Sequence, residues 1–166
     1  MKVRYLELQQ QFDDEVLYAK IKKLFSNCQF IMGPEVEEFE TNFAQLCGTT
    51  YALGVNSGTD AIFLGLKALG IGAGDEVITV PNSFIATTGA IMATGAKAVF
   101  VDVGADYNMD VTLIEPAITP RTKAILPVHL TGYPADMPTI MDIARKKKLY
   151  VIEDAAQAVS ASIHGK

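Results

Sequence analysis

From residue 51 onward, short apolar runs alternate with longer stretches of helical periodicity. "YALGV" (51–55) reads as a strand. "SGTDAIFLGLKALG" (57–70) puts Ile62, Leu66 and Leu69 on one helical face and stops at Gly70. "GAGDEVITVP" (72–81) is a turn entering a strand, "NSFIATTGAIMATG" (82–95) a second helix ended by glycine, and "KAVFVDV" (97–103) a third strand. In "DVTLIEP" (110–116), Asp110 is placed to cap a helix, which Pro116 keeps short or broken. "TKAILPVH" (122–129) is a strand, "MPTIMDIARKKK" (137–148) a helix with Pro138 in its first turn, and "LYVIED" (149–154) the closing strand. Strands alternating with helices predict βαβ units, hence an α/β fold with a mainly parallel sheet and helices on both faces.

Before that alternation lie two helical patterns, "QFDDEVLYAKIKKLFSN" (11–27) and, after a turn, "FIMGPEVEEFETNFAQLCG" (30–48). The expected division is therefore a helical segment over 1–50 and an α/β domain over 51–166. Composition narrows the function without naming it. The chain of 166 residues is long enough for a real core, and a net charge of −5 argues against a nucleic-acid surface. "RKKK" (145–148) suits a helix C-terminus. Cys28 and Cys47 fit no metal spacing and suit a reduced, cytoplasmic setting. "MKVRYLELQQQFDDE" reads as too polar for a signal peptide, and no apolar run reaches membrane-spanning length.

The chemistry gathers where apolar runs end. In open α/β sheets, ligands sit beyond the carboxyl ends of the strands. In "VNSGTDA" (55–61), Gly58 permits close backbone approach. The first N–H groups of the helix, with hydroxyls from Ser57 and Thr59, can hold a phosphate; the same residues also serve as a plain helix cap. Neither a spaced-glycine dinucleotide fingerprint nor a phosphate loop ending in Lys-Ser/Thr is present, which counts against an unrelated nucleotide-binding module. Phe84 in "VPNSFIATTGA" (80–90) is either a core residue or a platform for a planar ligand. Asp154, at the end of "LYVIED", is either a cap or a ligand group. Taken together, a phosphate cradle, a flat ring and an acid on one rim match pyridoxal phosphate. Asp154 would keep the ring nitrogen protonated, and Gln157 would donate to the phenolic oxygen.

"GPEVEEFE", "VNSGTDAI", "GDEVITVPNSFIAT", "TKAILPVHLTGYPADM" and "VIEDAAQAVSA" resemble, in order and spacing, the DegT–DnrJ–StrS family of sugar aminotransferases. The resemblance implies the large domain of a fold-type-I, pyridoxal-phosphate-dependent transferase. It implies amino transfer, usually from glutamate, onto a keto group of a nucleotide-linked sugar, in a homodimer with shared active sites. By motif position it implies that Gly58, Thr59 and, more weakly, Ser57 hold the phosphate. Phe84 would stack on the ring, Asp154 pair with its nitrogen and Gln157 contact its phenolic oxygen. Thr131 stands where the family commonly has an aromatic residue, and "AVSASIHGK" departs from the usual glycine pair after the glutamine. The family's Schiff-base lysine falls downstream of these motifs, so Lys166 reads as an ordinary turn lysine and the chain as the front portion of a longer enzyme. The 166 residues alone are then expected to lack aminotransferase activity. His129 and His164 match no catalytic position. The alternatives are a dehydratase relative, with histidine in place of the lysine, and a non-catalytic remnant acting by association.

Overall fold

The computed structural model describes residues 7, 8, 12 and 14–165. Lys166 therefore lies outside the described residues, as do Gln11 and Asp13 of the first expected helix. The chain divides into two compact units, Met1–Gly54 and Val55–Lys166.

In the first unit, α1 spans Glu15–Asn27 and α2 spans Pro34–Cys47. The Asp14 side chain caps α1 by accepting from the Val16 N–H at 2.8 Å. Gly33 and Pro34 open α2, and Gly48 closes it in the left-handed conformation with φ 64°. The strand expected over 51–55 does not form. A strand exists only when a neighbour satisfies its backbone groups, and none of the described strands pairs with this segment. The Gly54 N–H instead donates to Glu40 Oε1 at 2.6 Å. Tyr51 and Leu53 stay exposed, at 86% and 80%.

The second unit is α/β. It contains α3 (Gly58–Ala68), β1 (Glu76–Thr79), α4 (Ile85–Ala93), β2 (Lys97–Phe100), α5 (Ile114–Ala117), β3 (Thr122–Ile125), α6 (Met137–Lys147) and β4 (Tyr150–Val151). The four strands run parallel in the order β2-β1-β3-β4. All four residues of the inner strand β1 are buried, as a parallel strand covered on both faces requires, whereas edge strand β2 is half exposed. One contiguous apolar core holds the unit, with Leu66, Ile78, Ile91, Ile125 and Ile140 fully buried. The broken helix expected around Pro116 is a 3₁₀ turn, Val111–Leu113, followed by the single turn of α5; Asp110 caps it by accepting from the Thr112 N–H. Arg145–Lys147 fill the last turn of α6, where cations meet the negative end of the helix dipole.

The strand order decides where a ligand can sit. After β1 the chain turns outward to β2; after β3 it turns the other way to β4. The carboxyl ends of β1 and β3 therefore flank a topological switch point, the usual position of a ligand crevice. Pairing between the β3 and β4 segments runs on past the regular strands. Asp154 N–H donates to Pro127 O at 2.9 Å, and His129 N–H donates to Asp154 O at 3.1 Å. That extension carries Asp154 to the rim.

The opposite end of β1 is a stability device. Glu76, 3% exposed, is held by the Thr119 hydroxyl and by Arg121 Nε and Nη2 at 3.1 and 2.7 Å. The Thr119 hydrogen bond first, and Arg121 second, hold its carboxyl below the ordinary 4.5. The fold thus favours the charged form, so this contribution is complete above pH 4.5 and is lost as pH falls below that value through the lowered pKa. The melting temperature is expected to drop on acidification in that range. Glu76→Gln is expected to lower it near neutral pH and flatten the acid limb in a thermal-melt series against pH.

Candidate functional site

A cleft of about 350 Å³ opens at the switch point. Ser57, Gly58 and Thr59 from the start of α3, Phe84 and Thr87 from the start of α4, Val128 after β3, and Asp154 and Gln157 after β4 all line it. Every residue expected to act at the site therefore reaches one cavity.

The start of α3 explains three of them. Ser57 is the cap residue, and its Oγ accepts from the Asp60 N–H at 3.1 Å. Its oxygen is thus committed to the helix, while its hydroxyl proton stays available. The Thr59 hydroxyl has no hydrogen-bond partner among the described residues and is exposed to the cleft. A Cβ built on Gly58 meets nothing within 4 Å, so the space before this backbone is open. The free N–H groups of the 11-residue helix and its dipole make this end suited to an anion.

Phe84 is 75% exposed, which removes the core reading. One turn further along, Thr87 is buried, and its hydroxyl donates to Asp154 Oδ2 at 3.0 Å. The other carboxylate oxygen, Oδ1, accepts from the Ala156 N–H at 3.3 Å. Asp154 is therefore a turn-former and a cleft-facing acid at once, fixed at both oxygens with lone pairs to spare. Thr87 escaped the sequence reading. Its partner lies 67 residues away, so the local sequence carries no signal of the contact.

Gln157 is also fixed. Its Oε1 accepts from the Thr131 N–H at 2.7 Å, leaving Nε2 as its remaining donor. Behind the site, the buried His129 accepts the Ala135 N–H at Nδ1 (3.1 Å), so its proton lies on Nε2, 2.9 Å from Glu153 Oε2. His129 thus ties the end of the β3 segment to Glu153 and Ala135 and is not among the residues that line the cleft, and His164 is exposed. A larger hollow, about 490 Å³, lies within the first unit. Its charged lining residues, Glu37 and Glu40, are both acids, which does not suit a phosphate.

The sequence profile of the DegT/DnrJ/EryC1/StrS aminotransferase family matches residues 11–166. The chain belongs to this family. Among curated relatives, the dTDP-3-amino-3,4,6-trideoxy-alpha-D-glucose transaminase of Streptomyces venezuelae is 46% identical over 167 residues, spanning 100% of this chain and 43% of its own length. The UDP-N-acetyl-3-dehydro-alpha-D-glucosamine 3-aminotransferase of Acidithiobacillus ferrooxidans is 52% identical over 153 residues, 92% of this chain and 41% of its own. The crystal structure of ntda from Bacillus subtilis with bound cofactor PMP superposes with a TM-score of 0.92 at 41% identity, covering 99% of this chain and 39% of that one. The chain thus spans less than half the length of these relatives. Its α/β fold is part of the fold-type-I aminotransferase architecture. Family membership and the PMP-bound neighbour indicate pyridoxal phosphate as the cofactor. The cleft fits that group. It offers an anion-binding helix start with open space before Gly58, an exposed ring at Phe84 and a fixed carboxylate at Asp154. Among the described residues no helix is long and apolar enough to cross a membrane.

Proposed function

We propose that this chain forms the cofactor-binding part of an aminotransferase that moves an amino group, from glutamate, onto a keto group of a nucleotide-linked sugar. The observation that carries the reading is the meeting of an anion-binding helix start, an exposed aromatic ring and a hydrogen-bonded carboxylate in one cleft at the switch point. The relatives named for dTDP- and UDP-linked sugars support the substrate class. The proposal includes a homodimer, to be checked by sedimentation of the protein as encoded in its gene.

When bound, pyridoxal phosphate supplies the electron sink that lets an amino group leave one carbon and join another. The chain's own residues make that sink effective. The first N–H groups of α3 and the Thr59 hydroxyl hold the phosphate, aided by the helix dipole. Phe84 supplies a flat apolar surface for the ring and keeps water from that face. Asp154 holds a proton on the ring nitrogen, and a carboxylate beside a cation keeps its own charge. Thr87 and the Ala156 N–H keep that carboxylate aimed. Gln157 Nε2 donates to the phenolic oxygen, while the Thr131 N–H holds its Oε1.

Thr59→Ala tests the phosphate arm. Its hydroxyl has no partner among the described residues, so truncation is expected to leave stability nearly unchanged. It should weaken cofactor binding by about 1–2 kcal/mol, the scale of a hydrogen bond to a charged group. A spectroscopic titration of the encoded protein with pyridoxal phosphate measures it; unchanged affinity would move the phosphate elsewhere.

A further inference from the structure

Asn108 is a polar side chain 1% exposed, on the loop after β2, and it does not line the cleft. Its own backbone is pinned: its N–H donates to Asp106 Oδ1 at 3.1 Å and its carbonyl accepts from the Gly104 N–H at 2.9 Å. From that fixed base its amide grips both ends of another loop. Oδ1 accepts from the Leu130 N–H at 3.1 Å, and Nδ2 donates to the Tyr133 carbonyl at 3.1 Å. Between those two points the backbone is strained. Thr131, β-branched, sits in the left-handed region at φ 55° and ψ 19°. That conformation is costly for such a residue and persists only where its surroundings impose it. Gly132, at φ 87°, brings its backbone so close to Gln157 that an added Cβ would lie 3.0 Å from the Gln157 carbonyl. The strained conformation aims the Thr131 N–H at Gln157 Oε1, 2.7 Å away. Only the oxygen of the amide can accept that bond, so the bond also settles which way the amide faces and leaves Nε2 as its donor.

We infer that Asn108 is a positioning residue for Gln157, acting through the 130–133 turn: it holds Thr131 in the conformation that orients the Gln157 amide toward the bound cofactor. The inference rests on the proposed role of Gln157 at the cofactor's phenolic oxygen. Release of either grip lets Thr131 relax toward negative φ, which turns its N–H away from Gln157. The amide then loses its fixed orientation although no residue of the cleft has changed.

The test is a double-mutant cycle in the encoded protein, with Asn108→Ala, Gln157→Ala and the pair. Two quantities are read, the pyridoxal phosphate dissociation constant and the absorption maximum of the bound cofactor. Melting of the cofactor-free protein is followed in parallel. Each single variant is expected to weaken binding about fivefold, the scale of one hydrogen bond. The double variant is expected to bind no more weakly than Gln157→Ala, and Asn108→Ala is expected to reproduce the spectral shift of Gln157→Ala. Multiplying effects, or weakened binding in Asn108→Ala without that shift, would overturn the inference, because a loop staple acting only on stability behaves so. Unchanged affinity and spectrum in Gln157→Ala would overturn the underlying reading of Gln157 and the inference with it. Asn108→Ser is too short to reach either Leu130 or Tyr133 and buries no charge at this site, which is 1% exposed. It carries the same cycle, with the same expected non-additivity, if the alanine variant does not fold.

Discussion

Asp154→Asn in the encoded protein is expected to cut amino transfer by orders of magnitude while leaving the fold in place. The structural side follows from the two contacts of the carboxylate. An asparagine can turn its oxygen to the Ala156 N–H and its amide to the Thr87 oxygen, whose hydroxyl then accepts where it had donated. The strand-end bonds to Pro127 and from His129 use only the backbone of residue 154 and are untouched. The chemical side is different. A neutral amide cannot keep a proton on a ring nitrogen as a carboxylate does, and an unprotonated ring is a poor electron sink. Steady-state kinetics beside a thermal melt check both halves. Near-normal turnover would remove Asp154 from its assigned role.

Gly58→Val has the second large effect, and it separates binding from folding in another way. The position has no left-handed φ to protect, and a Cβ there meets no protein atom within 4 Å. The fold itself therefore has room for a side chain, and the melting temperature is expected to change little. The room it occupies is the cleft in front of the α3 N–H groups. A valine there would hold a phosphate away from several charge-assisted hydrogen bonds, at a cost of about 3 kcal/mol or more, or roughly a hundredfold in affinity. Cofactor titration measures this. A valine variant that binds pyridoxal phosphate as well as the parent would place the phosphate at another site.

Asp154 was legible as a candidate because it directly follows an apolar run, and chain direction in a parallel sheet delivers such a position to the rim; Gly58 was legible as a glycine in the first turn of a helix behind a serine cap. The pattern also located β1 to β4 within a few residues, since buried parallel strands read as short apolar blocks between glycine-rich turns. It failed at 51–55. Apolar composition there reports a preference for burial against a neighbour, and the described sheet supplies none. That Phe84 is not a core residue could be read only from its exposure, because core and platform call for the same residue type. Thr87 and Asn108 were hidden for another reason. Their work lies in contacts made across 67 residues to Asp154 and across 22 to Leu130, and no local pattern encodes such pairings. The left-handed Thr131 is equally silent in sequence, since a β-branched residue is the last expected there.

The central claim is that Asp154 holds the proton of a cofactor bound in the cleft at the switch point. The nitrogen-15 resonance of pyridoxal phosphate labelled at its ring nitrogen, bound to the encoded protein and to its Asp154→Asn variant, tests it directly. The account predicts a protonated ring nitrogen in the parent and an unprotonated one in the variant at the same pH. A ring nitrogen equally protonated in both, or unprotonated in the parent, would contradict it.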